Sequence, residues 1–134
     1  MGALLLSLPS SVVSYEAPKP LTVKSYAEKQ VLHAFGSGWV EFERIIAKES
    51  LDWTVTTAHY PSGYALIKQE DGTYKKIKSS AFGLGGFLDD TWDDVGCVKT
   101  ADPYIQIDCA IKYVNARYGN PQVALKHHLT WNWY

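Results

Sequence analysis

Glu49 is the residue whose type and position first suggest chemistry. If the chain is helical from Trp39 to about Ser50, then Trp39, Phe42, Ile45 and Ile46 fall within an arc of about 120°. Glu49 lands near the middle of that apolar arc, whereas Glu41 and Glu43 fall at its edges or beyond, as solvated acids do. A carboxylate among apolar neighbours loses hydration, so the group tends to hold its proton and its pKa rises. A carboxylic acid still protonated near neutral pH is what general-acid catalysis at a glycosidic oxygen requires. The competing reading puts Glu49 at a frayed helix end, facing water or meeting Arg44 or Lys48.

The other reactive residue types carry weaker signals. His127 and His128 are adjacent, so on a helix they diverge by about 100° and do not readily share one ion. His33 and His59 lie far from them in sequence, so structural or surface roles are expected, with no metal and no cofactor. The glycine run Gly83–Gly86 lacks the Lys-Ser/Thr ending of a phosphate loop. Asp89, Asp90, Asp93 and Asp94 belong to an early-helix position that the helix dipole explains as well as a cation would. Cys97 and Cys109 have eleven residues between them and match no CxxC spacing. They form either a disulfide worth about 3 kcal/mol by chain entropy or two buried thiols, the default in a cytosolic chain.

The elements that must hold these residues are mostly helical. Ser25 and Glu28 have capping-box spacing ahead of a helix carrying Tyr26, Val31, Leu32 and Phe35, stopped by Gly36-Ser37-Gly38. The second helix carries Glu49. Tyr64–Gln69 and Thr73–Lys78 then flank Glu70-Asp71-Gly72 as a hairpin. Leu88, Trp92 and Val95 mark a third helix ending at Gly96. Asp102-Pro103 opens a fourth, running to about Tyr118 and apolar on two sides, which predicts a buried central helix. Asn120-Pro121 starts a fifth, and Trp131-Asn132-Trp133-Tyr134 follows. The expected class is α+β, predominantly α-helical, with one small β-hairpin.

Composition bounds the partners. A chain of 134 residues is one domain in size, and 46% hydrophobic with 20% charged residues is a globular rather than a disordered balance. A formal charge of -1 without a basic stripe argues against nucleic acid or an anionic membrane as partner. No apolar run approaches the roughly 18 residues of a bilayer span. Five Trp and nine Tyr against four Phe favour flat-faced but polar ligands, of which carbohydrate is the usual one. Residues 1–20 read as either an atypical secretory signal or an N-terminal arm, with Pro18-Lys19-Pro20 as the linker into a domain over 21–134.

Three blocks of sequence, in order, resemble the lysozyme-like superfamily, particularly the SLT-type lytic transglycosylase domains of bacteria and phages. Ile45-Ile46-Ala47-Lys48-Glu49-Ser50 is similar to the helix end bearing that family's Glu-Ser pair. Ser79-Ser80-Ala81-Phe82-Gly83-Leu84-Gly85-Gly86-Phe87-Leu88 with Thr91-Trp92 is similar to its Gly-Leu-x-Gln block. Asp102–Asp108 through Tyr113, Arg117–Pro121 and Trp133-Tyr134 are similar to its closing helices.

The resemblance implies a helical domain with a glycan cleft, a monomer acting on peptidoglycan strands outside the cytoplasm: secreted, periplasmic or virion-associated. It implies Glu49 as acid and then base, Tyr113 as its orienter, and Ser79, Ser80, Gly83, Leu84, Gly85, Gly86 and Phe87 as the substrate-binding wall. The product would be a 1,6-anhydro-muramoyl end. A hydrolase needs a second acid to position water, about 5–5.5 Å away when retaining and about 6.5–9.5 Å when inverting. Asp52 falls at the edge of the arc, and Glu70 and Asp71 sit at the hairpin turn, so transglycosylation is expected over hydrolysis. One departure stands out: Gly86 occupies the place of the family's Gln and removes a donor and an acceptor. That leaves a glycan-binding domain without turnover as the alternative from a different class.

Overall fold

The computed structural model of the chain describes residues 22–134. The N-terminal segment and its signal-or-arm readings lie outside the described residues. The architecture is α+β and predominantly helical: α1 (Val23–Phe35), α2 (Trp39–Glu49), the hairpin β1 (Tyr64–Lys68) and β2 (Tyr74–Lys78), then α3 (Asp89–Asp94), α4 (Pro103–Tyr118) and α5 (Pro121–Trp131).

Local signals set most of the boundaries. Asp102 and Asn120 cap α4 and α5, their side chains accepting from Tyr104 N and Val123 N, and each is followed by a first-turn proline. The cap of α1 is Thr22 rather than Ser25. Its hydroxyl accepts from Ser25 N at 3.1 Å, so Ser25 already lies inside the first turn. Gly36, at φ 74, ends α1 with its amide on the Leu32 carbonyl.

Phe42, Ile45 and Ile46 of α2 pack into a core with Val31, Ile107, Val114 and Leu125, all at or near zero exposure. Helix α4 is less enclosed than its two apolar sides predict. Gln106, Ile107, Cys109, Ala110 and Val114 are buried, but Ile105 is exposed, so one side of the helix stays open to solvent. Helices α2 and α5 begin together: a Cβ on Gly38 would stand 2.8 Å from Pro121 Cγ. They meet again at Glu49 and His128, so they run in the same direction.

The hairpin is antiparallel, with Tyr64 opposite Lys78 and Lys68 opposite Tyr74. Within it only Ala65 is buried, so the hairpin lies outside the helical core. Cys97 and Cys109 are joined as a disulfide with their Cα atoms 6.3 Å apart, tying the segment after α3 to α4.

Candidate active site

The chain leaves α2 abruptly after Glu49. Leu51, Asp52 and Trp53 all have positive φ (49°, 58° and 69°), a left-handed run that costs non-glycine residues on the order of 1 kcal/mol or more each. Ser50, fully buried, holds the turn. Its hydroxyl donates to the Ile46 carbonyl at 2.6 Å and accepts from Trp53 N at 2.9 Å, while its carbonyl accepts from Val55 N. Trp53 is fixed in turn by its indole N–H donating to Glu43 Oε2 at 3.1 Å. Ser50 therefore stabilises the helix end. The turn carries Asp52 into solvent and leaves Glu49 as the last residue of α2.

Glu49 faces a cleft of about 390 Å³ lined by Gly85, Gly86, Phe87, Leu88, Thr91, Tyr113, Arg117, Trp133 and Tyr134. Among the described residues, Glu49 is the one carboxyl side chain in that lining. Its side chain is 21% exposed, and its Oε2 lies 2.8 Å from Nε2 of His128, itself only 3% exposed. Burial raises the Glu49 pKa above the ordinary carboxylate value, outweighing the opposing pull of the His128 hydrogen bond and of the nearby imidazoles of His128 and His59. Burial thus favours the protonated form of the acid.

Gly86 is pressed against this carboxyl group. It has φ 64°, and a Cβ there would stand 2.5 Å from Glu49 Oε1 and 3.1 Å from His59 Cε1. Gly86 thus removes an amide side chain and also provides the space the acid occupies. His59 is oriented by its Nε2, 2.7 Å from the Gly83 carbonyl. The glycine loop is held from below by Gln106, buried in α4. Its Oε1 accepts from Leu84 N at 2.9 Å, and its Nε2 donates to the carbonyls of Thr56 and Thr100.

The expected substrate-binding residues divide into three places. Gly85, Gly86, Phe87 and Tyr113 line the cleft with Glu49. Gly83 and Leu84 do not; both are buried, Gly83 against the Gln106 side chain and Leu84 in the core. Ser79 and Ser80 line a neighbouring groove of about 670 Å³ with Tyr60, Lys78 and Asp89, joined to the cleft only through Leu88. Ser80 Oγ accepts from Asp89 N and so braces the start of α3. Lys78 is the only hairpin-strand residue in that groove, and none lines the cleft.

The hydroxyl of Tyr113, the residue expected to orient Glu49, bonds elsewhere. The Tyr113 hydroxyl donates to the Tyr134 carbonyl at 2.6 Å, and burial pushes its pKa up to about 12, so it stays a donor. The partner of Glu49 is His128, one of the imidazoles assigned to structure or surface from spacing alone. Tyr134 was expected only as a closing residue. It is buried, with its hydroxyl donating to the Gly85 carbonyl at 3.1 Å, so it closes one end of the cleft wall. Trp133, 48% exposed beside it, lines the cleft with the Arg117 guanidinium 5.0 Å over its ring. Trp131 is more exposed still and lies outside the lining.

Among the described residues no cluster of His, Cys, Asp and Glu could hold a metal ion, and no helix is long and apolar enough to cross a membrane. No family model, curated protein or solved structure matches the chain.

Proposed function

We propose that this domain is a peptidoglycan lytic transglycosylase of the lysozyme-like kind, cleaving the MurNAc–GlcNAc β-1,4 bond with Glu49 as its single acid and base. One observation carries the proposal: a carboxyl group made reluctant to ionise by burial opens onto a cleft in whose lining, among the described residues, no other carboxyl side chain lies. The ordered resemblance around Glu49, Gly83–Leu88 and Tyr113 supports the choice of glycan.

In the proposed reaction Glu49 gives its proton to the glycosidic oxygen as the C1–O bond breaks. The carbonyl oxygen of the substrate's own N-acetyl group assists at C1. The Glu49 carboxylate then takes the proton of the C6 hydroxyl as that oxygen bonds to C1, giving the 1,6-anhydro end and restoring the acid. A hydrolase would instead need a second carboxylate to position water, and among the described residues the cleft lining offers no second carboxyl side chain. Phe87, Tyr113 and Trp133 bring aromatic rings to the cleft lining, a composition suited to pyranose faces. The disulfide fits an oxidising compartment, where such a substrate is found.

Digestion of purified sacculi by the wild type and by Glu49→Gln, with mass analysis of the soluble fragments, tests this. Fragments lighter by one water than hydrolysed muropeptides, released only by the wild type, are expected. Hydrated reducing ends would replace the proposal with a muramidase. Sedimentation of both proteins with sacculi and no fragments from either would replace it with a glycan-binding domain.

A further inference from the structure

We propose that His128 is the positioning residue of this site: as the Nε2–H tautomer it occupies Oε2 of Glu49, so that the transferable proton sits on Oε1, beside Gly86. The proposal rests on the reading of Glu49 as the general acid.

Three observations lead to it. First, Nε2 of His128 is 2.8 Å from Glu49 Oε2, while Nδ1 is buried and has no hydrogen-bond partner among the described residues. A buried N–H without an acceptor is rarer than a buried lone pair without a donor, so the ring hydrogen belongs on Nε2 and Nδ1 carries none. An imidazolium would put a second N–H on Nδ1, facing nothing that accepts it. Second, an N–H aimed at Oε2 leaves that oxygen as an acceptor, so the carboxyl proton resides on the other oxygen. Third, Oε1 faces Gly86, a residue of the cleft lining, at the distance only a missing Cβ permits.

His128 therefore neither gains nor loses a proton in the reaction. When Oε1 gives its proton to the leaving oxygen, the Nε2–H bond strengthens onto the new carboxylate. When Oε1 takes the C6 hydroxyl proton, the pair returns to its starting state. The other titratable groups around the carboxyl group are His59 before the hairpin, Tyr113 and Arg117 on α4, and Tyr134, whose hydroxyl is held by Gly85. His59 Nε2 is occupied by the Gly83 carbonyl, which leaves His128 as the hydrogen-bond donor to Glu49.

The test compares His128→Phe, which fills the space without a donor, with His128→Gln, which restores an N–H. Sacculus solubilisation is followed across pH, with thermal melting of each protein and the imidazole 15N shifts of the wild type. The Phe variant should lose about 10- to 100-fold in kcat with little change in KM. Its basic limb should move to higher pH, because the donor that favours the carboxylate has gone; the Gln variant should recover most of both. The 15N shifts should show a protonated Nε2 and a bare Nδ1. Variants that differ from the wild type only in melting, with the basic limb unmoved, would make His128 merely structural and overturn the proposal. A proton on Nδ1 would overturn it as well. Should the Phe variant not fold, the Gln variant and the 15N shifts decide. If the wild type releases no fragments at any pH, the functional reading fails instead, and the shifts still judge the placement of the proton.

Discussion

Oε1 of Glu49 lies against Gly86 so closely that a Cβ on that glycine would stand 2.5 Å from it. The acid and the glycine therefore form one unit, and the backbone there is left-handed at φ 64°. Two costs follow for any side chain at position 86: about 1 kcal/mol or more of backbone strain and a displaced carboxyl group. Gly86→Ala is expected to lower the unfolding free energy measured in urea by at least that amount and to cut fragment release by about tenfold or more. Gly86→Gln, which installs the residue of the resembled family, should be worse than Ala rather than better. Activity in the Gln variant at or above wild type would show that the carboxyl group is not confined there.

The glycine loop depends on one buried amide. Gln106 bonds Leu84 N and the carbonyls of Thr56 and Thr100 at 2.8–2.9 Å. Gln106→Leu would leave three backbone groups without partners, each costing about 1–3 kcal/mol. A loss of at least about 3 kcal/mol in urea unfolding is expected, and an unchanged midpoint would remove Gln106 from this role.

Glu49 also makes stability depend on pH with a defined sign. Its folded pKa is raised, so the protonated acid stabilises the fold fully below the ordinary carboxylate range, and that contribution is lost as pH rises through the folded value. Glu49→Gln cannot ionise. It should match the wild type in acid and become the more stable of the two as pH rises towards neutral, in paired urea titrations. A variant that is less stable than wild type at neutral pH would contradict the cause assigned to the shift.

The disulfide closes a short loop between the end of α3 and α4. Cys97→Ser with Cys109→Ser is expected to cost about 3 kcal/mol, read as a lower unfolding midpoint that reducing agent no longer changes. Two free thiols titrated in unfolded, unreduced wild type would remove the bridge.

Glu49 was legible because burial on a helix follows from spacing, and α2 repeats its apolar arc cleanly through Phe42, Ile45 and Ile46. The same test was open for His128, which lies four residues after Ala124 and three after Leu125, both buried on α5. Adjacency with His127 speaks only against a shared metal ion and says nothing of a single imidazole on the buried face. The pairing itself was not legible. It joins residues 79 apart in sequence through the packing of α2 on α5, which no local pattern encodes. Gly86 read as a missing amide because the sequence shows a side chain's absence but not what fills the space. Tyr113 lines the cleft, but its hydroxyl goes to the main-chain oxygen of Tyr134, whose position is set by tertiary packing. Ser79 and Ser80 are placed in the cleft wall by the family resemblance alone, whereas in the structure they line a neighbouring groove.

The central claim is that Glu49 keeps its proton in the cleft, and a carboxyl 13C titration of specifically labelled Glu49 in the folded protein measures this directly. The account predicts a midpoint clearly above the ordinary carboxylate range, moving higher still in His128→Phe. A Glu49 carbon that titrates within the ordinary carboxylate range would contradict it.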